Sequence, residues 1–200
     1  TDKNTLNFLI ADVSGKGIPA AMFMMRSKAI LKSTTERVND IESIFYQANM
    51  ALCAGNDADM FLTAWQGKFN LQTGELSFVS AGHNPPVLKH VDGTVEFIPQ
   101  KTSFVLAGME GMKFKSNSIT LKPGEILFLY TDGVTEATDI HDELYGDDRL
   151  LSILSGKISL ELKDVCDSVK RDIDIFVKGA AQFDDITMVA FKYNGPDKES

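Results

Sequence analysis

Three acidic positions in this 200-residue chain sit where apolar segments run out. Asp12 closes "FLIADV", Asp132 closes "ILFLYTD", and the pair Asp184-Asp185 opens the last apolar segment, "ITMVAFKY". Each charge borders residues that demand burial, and an ion beside a dry interior is costly unless a counter-charge lies nearby. The nearest basic residues along the chain, Lys16 and Arg149, are too few to neutralise three acids. Hard divalent cations suit such a cluster, because magnesium or manganese takes oxygen ligands from few carboxylates and keeps several waters. Singly, each aspartate reads as a turn or cap residue, and Asp132-Gly133 is a common turn dipeptide. Together, at the ends of three apolar strands and beside glycine-containing loops, they read as a metal site.

Other chemistry is poorly supplied. The stretch "SGKG" after Asp12 precedes a helix and could cradle a phosphate on backbone N–H groups. It lacks the spacing of a nucleotide-binding P-loop, and its glycines read as positions where the backbone passes close to a metal or its waters. His83, in "SAGHNPP", lies in a tight loop between strands and reads as a residue that fixes the loop. His90 and His141 have no chemical context, and Trp65 reads as packing. No Ser-His-Asp or Cys-His set can be made out, which disfavours covalent catalysis. Cys53 and Cys166 both fall in helical patterns and read as buried, reduced thiols.

The elements that must hold these residues follow from periodicity. "LNFLIADV" reads as a buried strand. A helix is expected from Ile18 to about Glu36, with Pro19 in its first turn and Met22, Met25 and Ala29 on its apolar side. A second helix follows Asp40, with Ile41, Ile44, Phe45, Ala48 and Leu52 spaced by threes and fours. "MFLTAWQGKFN" and "ELSFVSAG" flank the hairpin signal "LQTG", and "PVLKHVDGTVEFI" reads as a second hairpin around Asp92-Gly93. "FKSNSITL" leads through "KPGE" into "ILFLYTD". Helical stretches at roughly 147–154 and 159–178 precede the final strand, the longer one burying Leu162, Val165, Val169, Ile173 and Phe176. Hairpins dominate the middle, so the expectation is an α+β sandwich of largely antiparallel sheets covered by helices.

Composition bounds the rest. With 44% hydrophobic and 24% charged residues the chain has material for one domain with a sizeable core. The domain is expected over 1–194, with 195–200 a tail and disorder confined to "NGPDKES". A formal charge of −8 argues against a nucleic-acid partner, which would need a basic face. Apolar runs are strand-sized and no charged-then-apolar leader precedes them, so neither a signal peptide, a membrane span nor membrane contact by this domain is expected. A reducing cytoplasm fits the cysteine usage.

Four segments, "FLIADVSGKGIPAAM", "TAWQGKFNLQTGELSFVSAGHNPPVL", "PGEILFLYTDGVTEATD" and "FDDITMVAF", resemble in this order the bacterial phosphoserine/phosphothreonine phosphatases of the RsbU and SpoIIE type, a branch of the metal-dependent PPM (PP2C-like) phosphatases. The likeness spans nearly the whole chain. It implies a PP2C-like αββα sandwich of two antiparallel β-sheets flanked by helices, with a two-metal Mn2+ or Mg2+ site. Asp12 would bridge both ions, the carbonyl of Val13 would complete one shell, and Asp132 and Asp184 would hold the other ion, with Asp185 the neighbouring alternative. A water activated by two metals would then attack phosphorus without a phosphoenzyme.

The resemblance also implies a phosphorylated regulatory partner, typically a STAS-domain anti-sigma-factor antagonist, in signal transduction of the stress-response, sigma-factor kind. It implies fusion to a sensor or receiver module in a larger sensor protein, and it allows a homodimer. The alternative is a catalytically degenerate phosphatase-like binding or signalling module. Relatives carry a "GDFYD"-like segment on the strand before the one that opens here, and residues 1–7 hold nothing like it, Asp2 being a poor substitute. The expectation is that the chain is N-terminally incomplete and lacks that strand, because a sheet missing a strand exposes a long pairing edge.

Overall fold

The computed structural model describes residues 3–155, 162–180, 182 and 184–196. Its order is β1 (Thr5–Val13), α1 (Ile18–Arg37), α2 (Ile41–Cys53), β2 (Leu62–Asn70), β3 (Glu75–Ala81), β4 (Val87–Lys89), β5 (Val95–Phe97), β6 (Thr102–Ser103), β7 (Ser116–Thr120), β8 (Ile126–Tyr130), α3 (Gly146–Ser155), α4 (Leu162–Val177) and β9 (Met188–Lys192). The chain divides into two compact units. The first runs to His83 and resumes over Gln100–Leu121, and the second comprises Asn84–Pro99 and Lys122–Gly195.

The first unit is built on a sheet ordered β1-β2-β3-β6, with β7 also pairing β3. All but the parallel β3·β6 pair are antiparallel. The β2–β3 hairpin turns where "LQTG" expects it. Gly74 takes φ 75, a conformation that costs glycine nothing, and its N–H reaches Asn70 O at 2.9 Å. Trp65 is fully buried, stacked on Phe78 at 5.1 Å and tilted against Phe8 at 5.6 Å, as a packing residue should be.

Two helices complete this unit's core. Asp40 caps α2 by accepting the Ser43 N–H at 2.8 Å, and Ile41, Ile44, Phe45, Ala48 and Leu52 are buried as their spacing predicts. In α1 the outcome is a correction. The buried face is Ala20, Phe23, Ser27, Leu31 and Thr34, whereas Met22 and Met25 are exposed. The helix carries apolar residues around most of its circumference, and packing rather than composition selects the stripe that contains Phe23 and Leu31.

The second unit has a sheet ordered β5-β4-β8-β9, antiparallel throughout. β8 lies between two neighbours and all five of its residues, "ILFLY", are buried, which explains its unbroken apolar run. Val165, Val169 and Ile173 of α4 are buried in this unit's core, while Leu162 lies exposed at the helix start. Part of the expected 159–178 helix, residues 159–161, lies outside the described residues, as do 197–200 of the expected disordered tail. Lys89 is buried and donates to Leu154 O at 2.6 Å, so a cation meets a carbonyl in the last turn of α3.

Candidate functional site

In the first unit Asp12 is the penultimate residue of β1, paired with Thr63 of β2, and half-buried. The Val13 N–H donates to its Oδ1 at 2.9 Å and so orients the carboxylate. The chain then leaves the sheet through a fixed turn. The Ser14 N–H donates to Phe61 O at 2.9 Å, and the Ser14 hydroxyl accepts the Phe61 N–H at 3.0 Å. Gly15 and Gly17 take φ 80 and 83, the left-handed values that "SGKG" suggests, before Pro19 enters the first turn of α1.

His83 belongs to the same unit. It is 3% exposed, and its Nδ1 lies 2.9 Å from the Thr63 hydroxyl, on the residue paired with Asp12. Its carbonyl accepts from Ser80 Oγ at 3.1 Å and Gln100 Nε2 at 3.0 Å. The imidazole therefore ties the loop after β3 to β2, as the loop-fixing reading expects.

In the second unit Asp132 stands two residues beyond β8, at the start of a turn whose Glu136 N–H returns to Asp132 O at 2.8 Å. Asp184 and Asp185 stand three or more residues ahead of β9 rather than at its opening residue. The structure brings the two loops together. The Thr131 N–H donates to Thr187 O at 3.0 Å, the Thr187 N–H donates to Thr131 Oγ1 at 3.0 Å, and that hydroxyl donates to Asp185 O at 3.2 Å. Gly133 passes so close that a Cβ on it would stand 2.3 Å from Asp185 O. Thr131 and Gly133 escaped the reading of acids alone, although "YTDG" does show a hydroxyl residue and a glycine flanking the aspartate.

The two acids of the "DD" pair differ. Asp184 is half-buried, its Oδ1 accepts the Asp185 N–H at 2.9 Å, and it lines a cavity of about 150 Å3 together with Gly133, Thr138, Lys170 and Asp174. The Asp185 side chain is exposed. Arg149 is not a counter-charge for these loops. Its guanidinium holds Asp172 through Nε at 2.7 Å and a second nitrogen at 3.0 Å, over the Tyr145 and Phe176 rings. Cys53 and Cys166 are both free thiols, half-buried, and burial raises the pKa of each.

One atom tests whether these residues suit a cation. Asp132 Oδ1 is buried and, among the described residues, has no hydrogen-bond donor. A desolvated carboxylate oxygen without a donor is costly, and a hard divalent ion removes that cost. Among the described residues no three His, Cys, Asp or Glu side chains converge as a metal-holding group. The carboxylate oxygens of Asp132 and Asp184 are hard donors of the kind magnesium and manganese take, one or two at a time with water completing the shell.

Known proteins share sequence and fold with this chain. IcfG of Synechocystis sp. is 28% identical over 217 residues, covering 94% of this chain and 34% of its own length. The phosphoserine phosphatase RsbU of Bacillus subtilis is 30% identical over 135 residues, covering 68% of this chain and 40% of its own length. The chain thus spans little more than a third of these curated relatives. Among solved structures, the SiaA-PP2C domain of Pseudomonas aeruginosa matches 96% of the chain and 78% of its own with TM-score 0.82 at 18% identity. The RsbU and RsbW domains of Rv1364c from Mycobacterium tuberculosis match 98% of the chain and 53% of their own with TM-score 0.77 at 21% identity. The fold is accordingly PP2C-like, two antiparallel sheets with helices. The Stage II sporulation protein E (SpoIIE) family matches residues 2–194, which leaves almost nothing of the chain outside it, and the chain belongs to that family.

Proposed function

We propose that this chain is a metal-dependent protein phosphatase domain that hydrolyses phosphoserine or phosphothreonine on a regulatory partner. The observation that carries the reading is the buried Oδ1 of Asp132, without a donor among the described residues, on a loop stitched to the one bearing Asp184. Asp132 with Asp184 in the second unit, and Asp12 with the Val13 carbonyl in the first, are the groups that would hold Mn2+ or Mg2+, two ions in all. Asp184 is preferred to Asp185 because it is half-buried and lines the cavity beside Gly133, whereas Asp185 points its charge to solvent. When bound, such ions supply a water acidified at neutral pH and compensate charge on the phosphoryl oxygens.

The chain's own part is positioning. The Val13 and Asp185 N–H groups each fix one oxygen of the preceding aspartate, so these carboxylates need little reordering when a cation arrives. His83, tied to Thr63 and buried, orders the loop rather than moving a proton. Similarity to RsbU, to RsbP of Bacillus subtilis, itself named a phosphoserine phosphatase, and to a structure with RsbU and RsbW domains supports a STAS-type anti-sigma-factor antagonist as the substrate protein. No described helix is long and apolar enough to cross a membrane, and a cytoplasmic site of action belongs to the same reading.

The test is manganese-dependent release of phosphate from a phosphoserine peptide by the wild type and by Asp132→Asn. The variant is expected to keep its circular dichroism and melting temperature and to lose turnover. Wild-type turnover by the folded variant would remove Asp132 from the metal set. Tight peptide binding by the wild type without any hydrolysis would favour the degenerate binding module instead.

A further inference from the structure

We infer that Thr131 is a positioning residue of the metal site, its hydroxyl locking the Asp132 loop to the Asp184-Asp185 loop. The inference rests on the metal-site reading above and adds a residue that carries no charge and cannot itself be inferred from a search for ligands.

Thr131 is 2% exposed and immediately precedes Asp132. Two of its polar atoms, the N–H and the hydroxyl, reach the other loop, while its carbonyl accepts the Val134 N–H at 3.0 Å within its own turn. Main chain meets main chain where the Thr131 N–H donates to Thr187 O at 3.0 Å. The hydroxyl does more, because it accepts the Thr187 N–H at 3.0 Å and donates to Asp185 O at 3.2 Å. One oxygen thus meets the backbone on both sides of Ile186, across 56 and 54 residues of chain. β8 stops pairing with β9 at Tyr130↔Met188, so the hydroxyl takes over where the ladder ends. Beyond it Gly133 presses on Asp185 O, leaving the second loop no room to close inward.

The pairing of donor and acceptor matters for the carboxylates. Asp184 Oδ1 is aimed by the Asp185 N–H, so the peptide that carries Asp185 sets where the Asp184 charge lies relative to Asp132. Holding Asp185 O holds the neighbouring part of that segment. Without the hydroxyl, the Thr187 N–H and the Asp185 carbonyl lose a part-buried partner, and the loop is free to shift toward water. A ligand pair that must reassemble on each binding event binds its ion more weakly, and loss of such supporting bonds costs about 10- to 100-fold in metal affinity.

The experiment is calorimetric titration of manganese into the 200-residue chain, without substrate, comparing wild type with Thr131→Val, Thr131→Ser, Val169→Ala and Asp132→Asn. Thr131→Val removes the hydroxyl at constant shape and is expected to weaken manganese about 10- to 100-fold, while Thr131→Ser, which keeps the oxygen, stays near wild type. Val169→Ala, on α4 and outside both loops in sequence, loosens the buried core of the same unit and is expected to leave affinity unchanged at a lower melting temperature. If Thr131→Val does not fold, Thr131→Ala against Thr131→Ser makes the same comparison with the methyl absent from both. Wild-type affinity in Thr131→Val, equal losses in the serine and valine variants, or an equal loss in Val169→Ala would overturn the inference. Asp132→Asn separates the two levels. If it also binds manganese like the wild type, the metal-site reading itself fails; if it loses binding and Thr131→Val does not, only the role of Thr131 fails.

Discussion

Gly133→Ala probes the spacing of the two acidic loops with one atom. A Cβ at residue 133 would stand 2.3 Å from the Asp185 carbonyl oxygen, 3.0 Å from its carbon and 3.5 Å from the carbonyl carbon of Asp184. Ordinary contact begins at 3.4 Å, so the oxygen must retreat by about 1.1 Å, the difference between 3.4 and 2.3. The obstacle is backbone, which no side-chain rotation relieves. Gly133 does not have positive φ, so the alanine meets a steric conflict and no conformational one. Overpacking of this kind costs about 1–3 kcal/mol of stability. A displacement of about 1 Å in a positioned group costs on the order of 100-fold in rate, equivalent to about 2.7 kcal/mol of transition-state stabilisation. The assay is kcat/KM for a phosphoserine peptide as a function of manganese, alongside thermal unfolding. Gly93→Ala is the control: its glycine has φ 92 with open space around it, so the variant should lose about 1–2 kcal/mol of stability and no activity. Wild-type kcat/KM in Gly133→Ala, or an equal loss in Gly93→Ala, would refute the argument that this close approach sets the site.

His83→Ala should cost about 1–3 kcal/mol of stability, because it removes the ring bonded to the Thr63 hydroxyl at a buried position, and should lower turnover only modestly. Turnover as low as that of Asp132→Asn at an unchanged melting temperature would instead make the imidazole a reacting group. His90 lies between two carboxylates, Nδ1 2.7 Å from Glu125 and Nε2 3.1 Å from Glu96, with Asp92 in the adjoining turn. Hydrogen bonding to Glu125 first, then to Glu96, raises its pKa above the ordinary 6.5 against the lowering effect of burial. A raised folded pKa means that this stabilisation is fully present below pH 6.5 and is lost as pH rises through the higher value. Urea unfolding of wild type and His90→Gln between about pH 5.5 and about pH 8.5 should show the wild-type advantage shrinking with rising pH. An advantage that is constant across the range would show that folding leaves the histidine's pKa unshifted.

Much of this protein is written locally. Asp40 before an Ile41–Leu52 apolar pattern is enough for a capped helix, because capping and amphipathic spacing act within a few residues. "LQTG" and Asp92-Gly93 specify hairpins for the same reason, their glycines taking φ 75 and 92. The aspartates were legible as candidates because a charge at the end of a buried strand stands out against its neighbours. Other features need the whole fold. Only packing chose Phe23 and Leu31 over Met22 and Met25 as the buried stripe of α1, since its apolar residues permit more than one face. The two-residue strand β6 has no pattern of its own and exists because β3 offers it an edge. Arg149 lies near Asp132 in sequence but holds Asp172 in space. The choice of Asp184 over Asp185, the buried oxygen of Asp132 and the bonds of Thr131 depend on a meeting of segments more than fifty residues apart. Spacing along a chain cannot encode that meeting, because it is fixed by the β8–β9 register and by the space that Gly133 leaves.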